Sequence, residues 1–173
     1  TMAKATINPE VLYFKDDGKI PNSKLPLLLY RNEFDDRPTA SKLQKHFATN
    51  NWTNSWDNGV YPFHHYHSTS HEVLGVYAGS ALLHLGGEQG QKVKVQAGDV
   101  IIIPAGVGHK NLGASTDFGI VGAYPDGRDW DLLKGEAGER PEADKNIAAL
   151  PVPDTDPFLG KGKGVHAIWI EHK

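Results

Sequence analysis

The chain has 173 residues, a formal net charge of −3 and no cysteine. The missing cysteines exclude a disulfide framework, thiolate nucleophiles, zinc ribbons and iron–sulfur sites. The mildly acidic balance, without blocks of like charge, argues against nucleic acid or an anionic membrane surface as partner. The longest apolar runs, LPLLLY and VIIIPAGV, are far too short to cross a bilayer, and no charged-then-apolar leader opens the chain. The expectation is one domain, residues 1–173, working in the cytoplasm without nucleic acid or membrane.

Thr1 precedes Met2 and is left out of the fold. Residues 3–34 read as short extended pieces: Asp17-Gly18 signals a turn, Pro21 and Pro26 forbid a helix, and 27–30 is a buried or edge strand. At Thr39 the period changes. Thr39 can cap a short helix running to about Asn50, with Ala40, Leu43 and Phe47 at helical spacing. Trp52 and Trp56 are then expected in a loop, plugging one end of a barrel.

Strands are predicted over 60–67, 72–77, 81–85, 93–96, 100–104, 109–112 and 118–124, separated by Gly- and Asp-rich turns. Lys92, Lys94 and Gln96 alternate with Val93 and Val95, giving one wet and one buried face. Many short strands with regular turns imply an all-β jelly roll or sandwich that hides its edges. Beyond Tyr124 the character changes. Residues 128–134 could form a helical turn or two, 135–164 are polar and broken by prolines, and 165–170 (VHAIWI) suit a last strand. This extension is expected to lie across its own barrel or a neighbour's.

The chemistry is concentrated in GVYPFHHYHSTSHEVLGVYAG, residues 59–79. On a strand His65 and His67 share one face. The four residues 68–71 suit a hairpin loop, which would set Glu72 across from His67 with Cβ atoms roughly 4.5–5.5 Å apart. A second stretch, GDVIIIPAGVGHKN, ends a strand at Pro104-Ala105-Gly106 and places His109 where the chain returns. Three imidazoles and a carboxylate suit Fe, Mn, Ni, Zn, Co or Cu as a divalent transition metal, and not Ca or Mg. Four protein ligands leave positions open for water, substrate or oxygen.

These two stretches resemble the paired signatures of the cupin superfamily. Gly59, His65, His67, Glu72 and Gly79 fit the first spacing, and Gly98, Pro104, Gly106 and His109 the second. The chain departs at Gly113, where many cupins carry Asn. The run HHYHSTSHEVLGVY is also similar to a bacterial subgroup of small single-domain cupins of unsettled function. The resemblance implies a double-stranded β-helix, or jelly-roll, barrel with its core at about 55–125. The N-terminal strands and helix (1–54) and an irregular C-terminal extension (126–173) flank it. It also implies one metal at His65, His67, Glu72 and His109, and a homodimer, for which the apolar tail and N-terminal run are the further grounds.

Other residues have competing readings. His71 is a donor to Glu72, a proton shuttle or a solvated loop residue. Tyr61, on the parity of His65 and His67, and Tyr124, in an interior strand, are candidate pocket phenols. Tyr66 should face away, as should His64, which reads as structural or exposed. His84 reads as a satisfied core histidine, and Asp99 as a turn residue bonding nearby amides. With no nucleophile elbow, phosphate loop or dinucleotide fingerprint, any catalysis falls to the metal. The leading expectation is an oxidoreductase of the dioxygenase type acting on a small organic molecule. A redox-neutral isomerase, lyase or decarboxylase is the second reading, and a non-catalytic metal or ligand binder the third.

Overall fold

The computed structural model describes residues 7–172. Thr1 and the extended pieces expected before Ile7 lie outside that range. A six-stranded antiparallel sheet dominates, built from β1 (Glu10–Phe14), β2 (Ser23–Tyr30), β3 (Trp52–Asn58), β4 (Glu72–Ala78), β7 (Val100–Ile103) and β9 (Gly119–Pro125). Its spatial order is β1-β2-β7-β4-β9-β3. A three-stranded sheet, β6-β5-β8, faces it, formed by β5 (Ser80–Leu85), β6 (Gln91–Gln96) and β8 (His109–Ala114). The architecture is the all-β jelly-roll barrel expected.

Between the sheets lies one apolar core. Leu27, Leu29, Leu74 and Ile101 from the large sheet meet Leu83, Leu85, Val93 and Val95 from the small one. The other face of the large sheet is buried as well. There Leu28, Val73 and Ile102 pack against Leu43 and Phe47 of α1 (Ala40–Thr49) and against Val165 and Trp169 of α3 (Val165–Trp169). A strand covered on both faces needs apolar side chains at every position, which is why β7 reads VIII without alternation. The small sheet has one wet face, and β6 alternates as expected.

Helix α1 begins where Thr39 accepts from the Lys42 amide, and its Leu43 and Phe47, four apart, form the buried stripe. The motif glycine Gly106 has φ +96°, and a Cβ there would run into the Asn22 carbonyl.

Several local expectations need correction. Trp52 and Trp56 lie in strand β3, paired with β9, rather than in a loop. Residues 60–67 form no strand; they cross the barrel mouth with single bridges, His65 to His109 and Tyr66 to Leu133. The hairpin between 60–67 and β4 is therefore absent, and Glu72 stands opposite Ile103 instead. Residues 128–134 form no helix, and Leu133 alone among them is bridged, to Tyr66.

The tail contains a helix the sequence reading missed, α2 (Glu142–Ala149), and a short hairpin of β10 (Thr155–Asp156) and β11 (Gly160–Lys161). Residues 165–170 were expected as a strand but form α3 and the start of a 3-10 turn (Ile170–His172). Val165 and Trp169 are four apart, about one helical turn, and the helix buries both against the large sheet. The fully buried Asp156 fixes this return, accepting from the Phe158, Leu159 and Val165 amides and from Tyr30 Oη at 2.6 Å. The tail thus covers its own barrel, and its apolar residues no longer argue for a partner copy.

Candidate metal centre

His65 and His67 are carried on the crossing segment, Glu72 opens β4 and His109 opens β8. All four are buried and meet at the base of one cavity of about 390 Å³. Ligand atoms of His65, His67 and His109 lie within 4.8 Å of one another. Glu72 Oε1 is 3.4 Å from His67 Nε2 and 3.3 Å from His109 Nε2. Metal–ligand bonds of about 2.0–2.1 Å imply ligand–ligand edges of about 3.0–3.4 Å, so the two Glu72–His contacts have the spacing of a first-row transition-metal site.

The tautomers fit too. Nδ1 of His65 donates to the Phe63 carbonyl at 2.9 Å, Nδ1 of His67 to the Asp131 carbonyl at 2.5 Å, and Nδ1 of His109 to the Val107 carbonyl at 3.2 Å. A carbonyl can only accept, so each Nδ1 carries a proton, and in the neutral ring the Nε2 lone pair is the one that faces the cavity. Burial, with repulsion from His109, pushes His65 down to about 3, keeping it a neutral donor near pH 7. Burial works against a charged His67, yet Glu72 and the Asp131 carbonyl raise it overall. Burial alone would raise Glu72, but His67 and His109 hold its carboxyl well below the usual range. The carboxylate thus prefers a positive charge beside it, and a metal ion would compete there with a proton.

The segment 57–117 matches the model of the cupin domain family. Along nearly its whole length the chain is also 41% identical to the uncharacterized protein YjlB of Bacillus subtilis, over 163 residues covering 94% of this chain and 97% of the relative. The chain belongs to the cupin superfamily. Among solved structures, it is similar in fold to an uncharacterized conserved protein with a double-stranded β-helix domain from Klebsiella pneumoniae. That match has 16% identity over 78% of this chain and 84% of that one, with a TM-score of 0.36. Acireductone dioxygenase from Bacillus anthracis, with a cadmium ion in its active centre, matches at 17% identity over 49% and 57% of the two chains, TM-score 0.34.

In this cupin the four ligand candidates come together, but by a route other than the expected hairpin. Tyr124 lines the cavity, and its hydroxyl donates to Glu72 Oε2 at 2.8 Å and accepts from Trp56 Nε1 at 2.6 Å. Burial and the Glu72 charge push that phenol far above its ordinary range, so it stays a donor. Tyr61 stands at the mouth, 45% exposed, edge-on to His65. His71 is buried rather than solvated. Its Nδ1 accepts from the Ala105 amide and its ring lies 4.8 Å from Trp169, away from the cavity lining. Tyr66 faces away, as expected, and donates to Glu139.

The tail contributes residues the sequence reading did not assign. Trp130 stacks on Tyr124 with centroids 5.8 Å apart and packs edge-on against His67. The Asp131 carboxylate accepts from the Ser68 and Thr69 amides, clamping the segment just past His67. Trp56, expected more as a plug than as a ligand contact, lines the cavity. Its indole lies where a Cβ on cross-strand Gly122 would clash, so that glycine makes its room. Gly122 opposite a tryptophan was the available signal for the Trp56 placement; nothing local marks Asp131.

Proposed function

We propose that this cupin is a metal-dependent enzyme acting on a small organic substrate, foremost as an oxidoreductase of the dioxygenase type. The supporting observation is the convergence of three Nε2 lone pairs and one carboxylate oxygen at the base of a buried cavity. His65, His67, His109 and Glu72 would hold the ion. When bound, a divalent Fe or Mn supplies Lewis acidity and redox capacity toward dioxygen.

The chain's own residues do the rest. Tyr124 holds Glu72 by Oε2 and so turns Oε1 toward His67 and His109. The Trp130–Tyr124 stack and Trp56 make a flat apolar wall suited to a planar substrate and poor in competing water. Neither Lys nor Arg lines the cavity among the described residues, which disfavours a phosphorylated sugar.

The test is oxygen uptake by protein loaded with Fe(II) or Mn(II), across catechol-, β-diketone- and flavonol-like substrates. Substrate-dependent uptake is expected, with both oxygen atoms recovered in product. No uptake at full metal occupancy overturns the oxygenase reading, and turnover that survives strict anaerobiosis moves the assignment to an isomerase, lyase or decarboxylase. Homodimerisation, expected from the family, is tested by light scattering at micromolar concentration.

A further inference from the structure

Adjacent residues on the crossing segment point to opposite sides. His65 turns into the cavity, while His64 turns outward onto the small sheet. There its ring meets His84 of β5 edge-on at 4.9 Å, and its Nε2 lies 2.9 Å from Glu88 Oε1 in the β5–β6 turn. One ligand atom from each of His64, His84 and Glu88 falls within 4.8 Å of the others.

The His64 ring is only half matched. His64 Nδ1 is buried with no hydrogen-bond partner. His84 is buried beside the His64 ring, and burial with the nearby His64 lowers its pKa, so it is a neutral lone-pair donor. Two imidazoles stacked edge-on, one with an unmatched nitrogen and both beside a carboxylate, are poorly explained as core filling.

We propose that His64, His84 and Glu88 form a second metal site, for a borderline divalent cation such as Zn(II), Ni(II) or Cu(II). Two nitrogens and one carboxylate oxygen are the donors such ions take, whereas Ca(II) and Mg(II) call for oxygen donors. Glu88 supplies the negative charge, and its exposed position leaves the remaining coordination places to water. Lys92 and Lys110 stand opposite His84 in register and weaken the field, so this site is the weaker of the two. Its role is a staple. The crossing segment has no ladder of its own, and an ion held by His64 on one side and by β5 and its turn on the other ties that segment to the small sheet.

The experiment counts ions. Metal-free protein is equilibrated with Zn(II) alone and freed of unbound ion, and zinc per chain is measured for wild type, His84→Gln and Glu88→Gln. Both substitutions are expected to remove one equivalent, or to weaken it by at least about tenfold to a hundredfold. They leave untouched any ion held by His65, His67, Glu72 and His109, so failure of that first site appears separately, as wild type holding one ion that His84→Gln abolishes. Zinc should also raise the melting temperature of His67→Ala but not of His67→Ala/His84→Gln. Glu88 is exposed on a turn, so its variant folds whatever happens to His84. Equal zinc counts in wild type and both variants overturn the proposal.

Discussion

The four ligand candidates are held in two different ways. Glu72 and His109 stand at the ends of strands: β4 is laddered on both sides within the large sheet, and β8 pairs with β5. His65 and His67 sit on a segment with isolated bridges, kept in place by the Gly106 amide donating to the His67 carbonyl and by the Asp131 clamp. One half of the site is therefore built into the barrel. The other half is fastened to it from outside, partly by a tail more than sixty residues further along the chain. Such a division permits ligand adjustment on one side without disturbing the core.

His67→Ala removes a ligand from the fastened half, and should cost most of the bound metal, at least about a hundredfold in affinity, read by elemental analysis with His65, Glu72 and His109 intact. His64→Ala should spare that ion and remove only the zinc equivalent assigned to the outer site. Equal loss of the first-site ion from both would erase the distinction between inward and outward parity.

Asp131→Ala attacks the clamp while leaving every ligand in place. A fall in metal affinity of about tenfold to a hundredfold is expected, with protease sensitivity rising at residues 60–70 and the barrel melting almost unchanged. A collapse of the whole fold would mean that the two halves are not separable.

Tyr124→Phe tests the built-in half, by removing a bond to a charged acceptor worth about 1.5–3 kcal/mol at most. Because β4 still positions Glu72, the expected loss of metal affinity is smaller, near tenfold. Thermal melts and metal titration measure the two effects side by side.

The smallest effect concerns how the tail is fastened. Arg140 makes a bidentate contact with Asp16, and this bond holds the Asp16 carboxyl down to about 2 from its usual 3.8. A depressed carboxylate stabilises the fold above its unfolded pKa, and that contribution disappears as pH falls through the folded value. The stability difference between wild type and Asp16→Asn should therefore be flat above about pH 4 and vanish near pH 2. The pair is half exposed and screened, so less than about 1 kcal/mol is expected.

The legible part of the molecule was its spacing. Two motifs placed four residues at one site because the turn glycines and Pro104 fix chain geometry locally, and apolar alternation on β6 located the small sheet. The mechanism offered for that convergence failed at the 60–67 segment: strand-like composition there lost to pairing across the mouth with His109 and Leu133. VHAIWI was misassigned because its β-branched residues favour strands intrinsically, while packing against the large sheet is met by a short helix that buries Val165 and Trp169. Asp131 and Trp130 act through contacts far away in sequence, and no local pattern announces such partners.

The stretch that carries the family signature, 57–117, is not a folding unit by itself. Excised, it would lose β2 and β9, leaving the β7–β4 pair with an open edge on either side and stripping α1 and α3 from a face lined by Val73, Val100 and Ile102. Open strand edges beside a bare apolar patch invite intermolecular pairing. A minimal fragment cut to the motif boundaries should therefore precipitate or swap strands with its neighbours.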